Sequence, residues 1–215
     1  MTSNQNPVTT PPDKRDGRKE NANATQAALR KAGFRLFSTL GYEATPVGAL
    51  CAEAGVTTGA LYHHYGDKKR LFAAVAEELE CMLVRNAMQA HQDTLAQGGS
   101  AWDAFLAGID TLLVAGTNTG LRRIGLVDAP AVLGAEVWRA IREQHGHGAL
   151  TASIQALQAQ GWIAPGDPNR IAWLLLGMIY SALQSLPEDR LQADAALSES
   201  KRLIHAMLDG LRTPT

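Results

Sequence analysis

Cysteine is scarce in this chain. Cys51 and Cys81 are the only two in 215 residues, too few for a disulfide framework and in keeping with a reducing compartment. Long apolar runs are missing too. The longest, Ile171 to Leu183, is interrupted by Gly177 and Ser181 and falls short of the ~20 residues that span a bilayer, so a buried core helix is expected there. No basic stretch followed by an apolar one opens the chain, so the expectation is a cytoplasmic protein with no secretory leader and no membrane partner. Signatures of catalysis are missing as well: there is no GxSxG, GxGxxG, P-loop or HExxH. No histidine or cysteine spacing suits zinc, because His63-His64 point apart on a helix and His145 and His147 are an off-face pair. No catalytic residue, cofactor or metal site is therefore expected, and a small helical enzyme stands only as an alternative.

What is present is apolar content and an uneven charge. Hydrophobic residues make up 46% and charged residues 19%, the balance of a globular protein with one large domain or two small ones. The net charge of −1 conceals an asymmetry, since residues 1–72 carry ten Lys/Arg against six Asp/Glu and the remainder carry ten against fifteen. A basic head on an acidic body suits a head that meets a polyanion. A helical module that binds a membrane surface or a partner protein is the other non-catalytic alternative. Retention on DNA that is sequence-specific and steeply salt-dependent separates these classes.

Along the chain, residues 1–17 hold Pro7, Pro11 and Pro12 among polar residues and read as a disordered arm. Leu29, Ala32, Gly33, Leu36, Phe37 and Leu40 then form one helical stripe, and Gly41 supplies a C-terminal cap. Thr45-Pro46 restarts a helix with Thr45 as N-cap, burying Val47, Leu50, Cys51 and Ala54. Ala54-Gly55-Val56 is a tight turn, Thr57 or Thr58 caps a short third helix, and Asp67 caps a long fourth one. Further helices are expected over Ala101–Val114, Gly134–His145, Ala149–Gln160, Asn169–Leu186 and Leu197–Leu211. Strand-period alternation is found nowhere in the head.

Helix, glycine turn, helix is the spacing of a helix-turn-helix. The run Leu29, Ala32, Leu36-Phe37, Gly41-Tyr42, Thr45, Val47, Leu50, Ala54-Gly55-Val56, Gly59, Leu61-Tyr62, His64-Tyr65, Lys68 and Leu71 resembles the characteristic segment of the tetracycline-repressor-like (TetR/AcrR) family of bacterial regulators. The resemblance implies an all-α protein: an N-terminal three-helix helix-turn-helix domain over 18–72, joined by a long helix to a helical ligand-binding and dimerisation domain over 73–215. It implies a cytoplasmic homodimer that binds double-stranded operator DNA, more a repressor than an activator, and answers to a small-molecule effector.

On that resemblance Thr57, Thr58, Gly59 and Ala60 are the residues expected at base edges, at the front of the helix that enters the major groove. Thr57 is read either as N-cap or as base contact. Gly59 costs a helix about 1 kcal/mol relative to Ala, which a close backbone approach to DNA explains. The helix carries no Arg, Asn or Gln, so methyl contacts and DNA shape are expected to carry specificity. Thr45, Tyr62, His63 and Lys68 are expected on phosphates. In the C-terminal half, Trp102, Phe105, Ile109, Trp138, Ile141 and Trp173 are read as core or as walls of an effector pocket. Arg122, Arg123 and Asp128 are read as surface charges or as partners of a ligand's polar group. The dimer interface is expected on the last two helices, at Leu175, Ile179, Leu183, Leu197, Ile204, Leu208 and Leu211, because the first of them is apolar around most of its circumference.

Overall fold

The computed structural model describes residues 14–187 and 189–213. Among these the fold is all-α, with a single isolated antiparallel bridge between Ile163 and Arg212. The head comprises α1 (Lys14–Leu40), α2 (Val47–Ala54) and α3 (Thr58–Tyr65), and α4 (Lys68–Ala96) leads out of it. The body comprises α5 (Ala101–Ala115), α6 (Thr119–Arg122), α7 (Ala129–Leu133), α8 (Ala135–Arg142), α9 (Gly148–Ala159), α10 (Pro168–Gln184) and α11 (Arg190–Asp209). Two π-helical turns, Arg123–Asp128 and Glu143–His147, join α6 to α7 and α8 to α9.

The arm expected over 1–17 falls largely on residues 1–13, outside the described residues, while α1 already begins at Lys14. Its apolar stripe is buried at Leu29, Ala32, Gly33 and Phe37, but Leu40 is exposed because the last turn runs past the core. Gly33 lets α1 approach α4 closely, for a Cβ there would meet Val75 Cγ2 at 3.0 Å. Gly41 (φ 85°) and Gly55 (φ 66°) end α1 and α2 in the left-handed region that only glycine enters at little cost. The N-cap of α2 is Pro46, not Thr45, and no side chain caps that helix.

The apolar residues form two cores, and α4 contributes to the head core and packs along α5 of the body. The head core gathers Leu29, Phe37, Leu50, Leu61, Leu71, Phe72, Val75 and Leu79, and Phe37 meets Phe72 edge-on at 5.1 Å. It is completed from the body by Ile124, Ala129, Leu133 and Trp138. The body core gathers Trp102, Phe105, Ile109, Leu113, Leu150, Ile154, Leu175, Leu176, Ile179, Leu183, Ile204 and Leu208. A boundary after residue 72 thus cuts a continuous helix and divides a shared core.

Several expected interface positions face inward. Leu175, Ile179, Leu183, Ile204 and Leu208 are all buried within their own chain, and Leu197 packs against the same core. The reason is geometric: on α10, residues 175, 179 and 183 lie on one face by i, i+4 spacing, and that face meets α5 and α9. The outward face carries Leu174, which is 63% exposed, and Gly177. On α11 and just after it, Leu203, Met207 (57% exposed) and Leu211 face out.

The charged residues of the α6–α7 segment are bound into the protein as well. Arg123 donates to the carbonyls of Ser38 and Thr39 at the end of α1, and Asp128 accepts the Tyr42 N–H at 2.9 Å. Arg122 donates to the carbonyls of Leu183, in the last turn of α10, and Leu186, just beyond it, at 3.3 and 3.0 Å. Arg123 thereby supplies a donor to carbonyls in the last turn of α1. Since Ile124 is fully buried in the head core, Ile124→Ala should cost about 2–5 kcal/mol in a denaturant melt. Hydrogen exchange should show α1 and α2 losing protection together with the body segment.

Candidate nucleic-acid interface

Helix α3 is held from beneath by Leu61, which is buried among Leu29, Leu50 and Leu71. Its opposite side is open. Thr57, Thr58, Gly59, Tyr62 and His63 are exposed and Ala60 is half-buried, so the segment expected at base edges forms one contiguous surface. Thr57 is the N-cap: its hydroxyl accepts the Ala60 N–H at 3.2 Å. That leaves its methyl and the front of α3, with the positive end of the helix dipole, facing solvent.

Gly59 has no packing reason to be glycine. A Cβ built there meets only Thr57 Oγ1, at 3.8 Å, among the described residues. Gly48, on α2, is equally open; sequence reasoning passed over it, although a glycine inside a short helix is the same signal.

The residues expected on phosphates divide. Tyr62 and His63 project outward, and the His63 ring meets His64 edge-on at 5.1 Å. Thr45 does not project: it is fully buried and its hydroxyl donates to the Gly41 carbonyl at 2.6 Å, tying the α1–α2 connection together. Its expected phosphate contact is thereby corrected, since a buried hydroxyl with its proton already donated cannot reach DNA. Lys68 is largely engaged too. Its ammonium donates to the carbonyls of Tyr42 (2.9 Å) and Thr45 (3.1 Å) and stands 4.2 Å from the centre of the Tyr42 ring. Two of its three N–H groups are used inside the fold. Lys69 and Arg70, on the same turn, are exposed.

A second feature lies behind the head. A cavity of about 260 Å³ opens between α4, α5, α9 and α10. Of the aromatic and aliphatic residues expected to wall a pocket, Phe105 and Ile109 do line it. Trp102 lies in the body core away from it, Trp138 and Ile141 belong to the head core, and Trp173 stacks on His147 at 4.3 Å. Ile179 and Leu183, expected at an interface, line the cavity instead. So do Glu80, Leu83, Val84 and Ala87 of α4, which sequence reasoning missed. The signal was Glu80 itself, an acid that continues the stripe of Val75, Ala76, Leu79 and Leu83. Among the described residues no group of three or more His, Cys, Asp and Glu is placed to hold a metal, and no single helix is long and apolar enough to cross a membrane.

Comparison with known proteins agrees with this architecture. Residues 29–75 match the bacterial regulatory proteins of the tetR family, and residues 102–211 match the tetracyclin repressor-like C-terminal domain. The chain belongs to the TetR family. The TetR-family transcriptional regulator of Pectobacterium atrosepticum superposes with a TM-score of 0.75 at 29% identity, over 91% of this chain and 98% of that one. The HTH-type transcriptional regulator AcrR of Shigella flexneri is 39% identical over 59 residues, 27% of each chain. The HTH-type transcriptional repressor AcnR of Corynebacterium efficiens is 43% identical over 56 residues, 26% of this chain and 29% of that protein. The aligned stretch thus spans little more than a quarter of these curated relatives.

For a TetR-family head, the Lys68 contacts generate a test. Lys68→Ala should lower stability by about 1–2 kcal/mol, because two carbonyls lose a charged donor. The thermal midpoint measures it, and an unchanged midpoint would show that the ammonium does not brace the turn.

Proposed function

We propose that this TetR-family chain is a homodimeric DNA-binding repressor, released from a pseudo-palindromic operator by a small molecule that enters the body. The observation that carries the reading is the open front of α3. Thr57, Thr58, Gly59 and Ala60 form an exposed surface on a helix whose other face is locked in a core, the arrangement a recognition helix requires. Thr58 and Ala60 then offer a hydroxyl and a methyl to base edges, and the bare Gly59 lets the backbone approach. Tyr62 and His63 donate to phosphates, and Lys69 and Arg70 add positive charge beside them. The protein works in the cytoplasm, on the nucleoid when bound, with residues 18–72 reading DNA and 73–215 regulating. No catalytic step is involved.

Two copies read half-sites about 34–36 Å apart, so a small change in head spacing spoils simultaneous contact. The cavity supports such a switch, since Leu83 and Val84 in its wall lie on the same helix as Val75 and Leu79 in the head core. A ligand need only favour one head spacing by ~1–3 kcal/mol to weaken binding 5–150-fold. The dimer forms through the outward faces of α10 and α11, where Leu174, Leu203, Met207 and Leu211 leave apolar area uncovered.

Selection of the full chain on a randomised duplex library should enrich a pseudo-palindrome, with affinity falling steeply as salt rises. Enrichment without sequence preference would overturn the reading. Gly59→Ala should separate stability from function, raising stability by about 0.5–1 kcal/mol while weakening operator binding. Leu174→Glu should yield a folded monomer in sedimentation at micromolar concentration; an intact dimer would place the interface elsewhere.

A further inference from the structure

The cavity wall is apolar almost throughout: Leu83, Val84, Ile109, Leu112, Leu150 and Ile179 set its character. Glu80 breaks the pattern. Its side chain belongs to a residue only 4% exposed, and it lines the cavity from α4. Among the described residues nothing donates a hydrogen bond to its carboxylate or forms a salt bridge with it. A buried carboxylate without a partner is costly, and here the open side is the cavity.

The basic side chains that bear on Glu80 are Arg142 and His145; neither forms a salt bridge with it, although the buried Arg142 Nε has no hydrogen-bond partner among the described residues. The Arg142 guanidinium stacks on the Tyr180 ring at 3.7 Å from its centre, and His145 Nε2 lies 3.1 Å from Glu77. Burial raises the Glu80 carboxyl above its usual range despite the opposing pull of the Arg142 guanidinium. The other titratable groups of the wall offer no cation fixed against it: Tyr180 is held neutral by its own burial, and His91 stands farther along α4. The Ser153 hydroxyl already donates to the Ala149 carbonyl at 3.0 Å. Oε2 of Glu80 faces Gly146 in the second π-helical turn, where even a Cβ would stand 3.3 Å away. The missing side chain keeps that approach free.

We infer that the cavity takes a largely apolar amine, its ammonium paired with the Glu80 carboxylate and its hydrocarbon body packed on Leu83, Ile109, Leu112 and Ile179. This rests on the effector pocket proposed above and names the chemistry it selects. Carboxylates and phosphates of the same shape are rejected, because they bring a second negative charge beside the Glu80 carboxylate in a mostly apolar wall. The pairing also falls at a sensitive place. Glu80 is one helical turn from Ala76, which is buried in the head core, so a ligand drawn to Glu80 bears directly on the helix that carries the head.

Calorimetry on the full chain with three probes of one frame tests this: 1-naphthylmethylamine, 1-naphthylmethanol and 1-naphthoate. The amine should bind at least about tenfold more tightly than the alcohol, and the naphthoate should not bind. Glu80→Gln should bring the amine down to the affinity of the alcohol and leave the alcohol within about threefold of its original value. Naphthoate binding as tight as the amine would overturn the inference, as would equal weakening of amine and alcohol in Glu80→Gln, or no binding of any probe. Should that variant fail to fold, the ranking of the three probes on the unaltered chain decides. Operator binding is measured without probes, so its absence beside intact amine selectivity refutes the DNA reading and leaves the site chemistry standing.

Discussion

Everything in this molecule hangs on α4. Its 29 residues make a rod about 43 Å long at 1.5 Å per residue, which closes the head core with its first half and walls the body cavity with its second. Phe72, Val75 and Leu79 close the head, while Glu80, Leu83, Val84 and Ala87 wall the cavity. A helix transmits displacement along its axis and tolerates little bending without a proline or an inserted group. Whatever fills the cavity therefore acts on the same rigid element that supports α3.

The segment from α6 to α7 is the second tie between the halves. Ile124, Ala129 and Leu133 are buried in the head core, and Arg123 and Asp128 grip the end of α1 and the residue after Gly41. Its middle is a π-helical turn, a rare form that recurs at functional positions in helices. The second such turn, Glu143–His147, presents Gly146 to Glu80. Head and body are thus joined by α4, which runs through both, and by the α6–α7 segment, which packs on the head core and hydrogen-bonds to the end of α1.

Much of the head was legible from sequence because its signals are local. The stripe from Leu29 to Phe37, the glycines at 41 and 55, the Thr57 cap and the Asp67 cap each act within a few residues. The internal contacts of Thr45 and Lys68 went unforeseen for the opposite reason. A hydroxyl and an ammonium suit phosphate as well as carbonyl oxygen, and only the three-dimensional return of the chain brought the Gly41, Tyr42 and Thr45 carbonyls to them. In the body, the region Thr119–Leu133 gave no clean helical period, since a π-helical turn shifts the phase of the apolar positions.

By itself the sequence determined that this protein is all-helical, that a helix-turn-helix sits in its basic head, and that the family is TetR. The first two follow from apolar period, caps and turn residues, which the chain carries wherever it is placed, and the third from the resemblance carried by the run Leu29 to Leu71. Which face of α10 turns inward was decided only by the tertiary structure. A helix apolar nearly all round packs on either face, and contact with α5 and α9 selected Leu175, Ile179 and Leu183 over Leu174. The cavity and its one unpaired carboxylate arise in the same way, because Glu80, Gly146 and Tyr180 lie far apart in the chain and meet only when α4, the second π-helical turn and α10 pack.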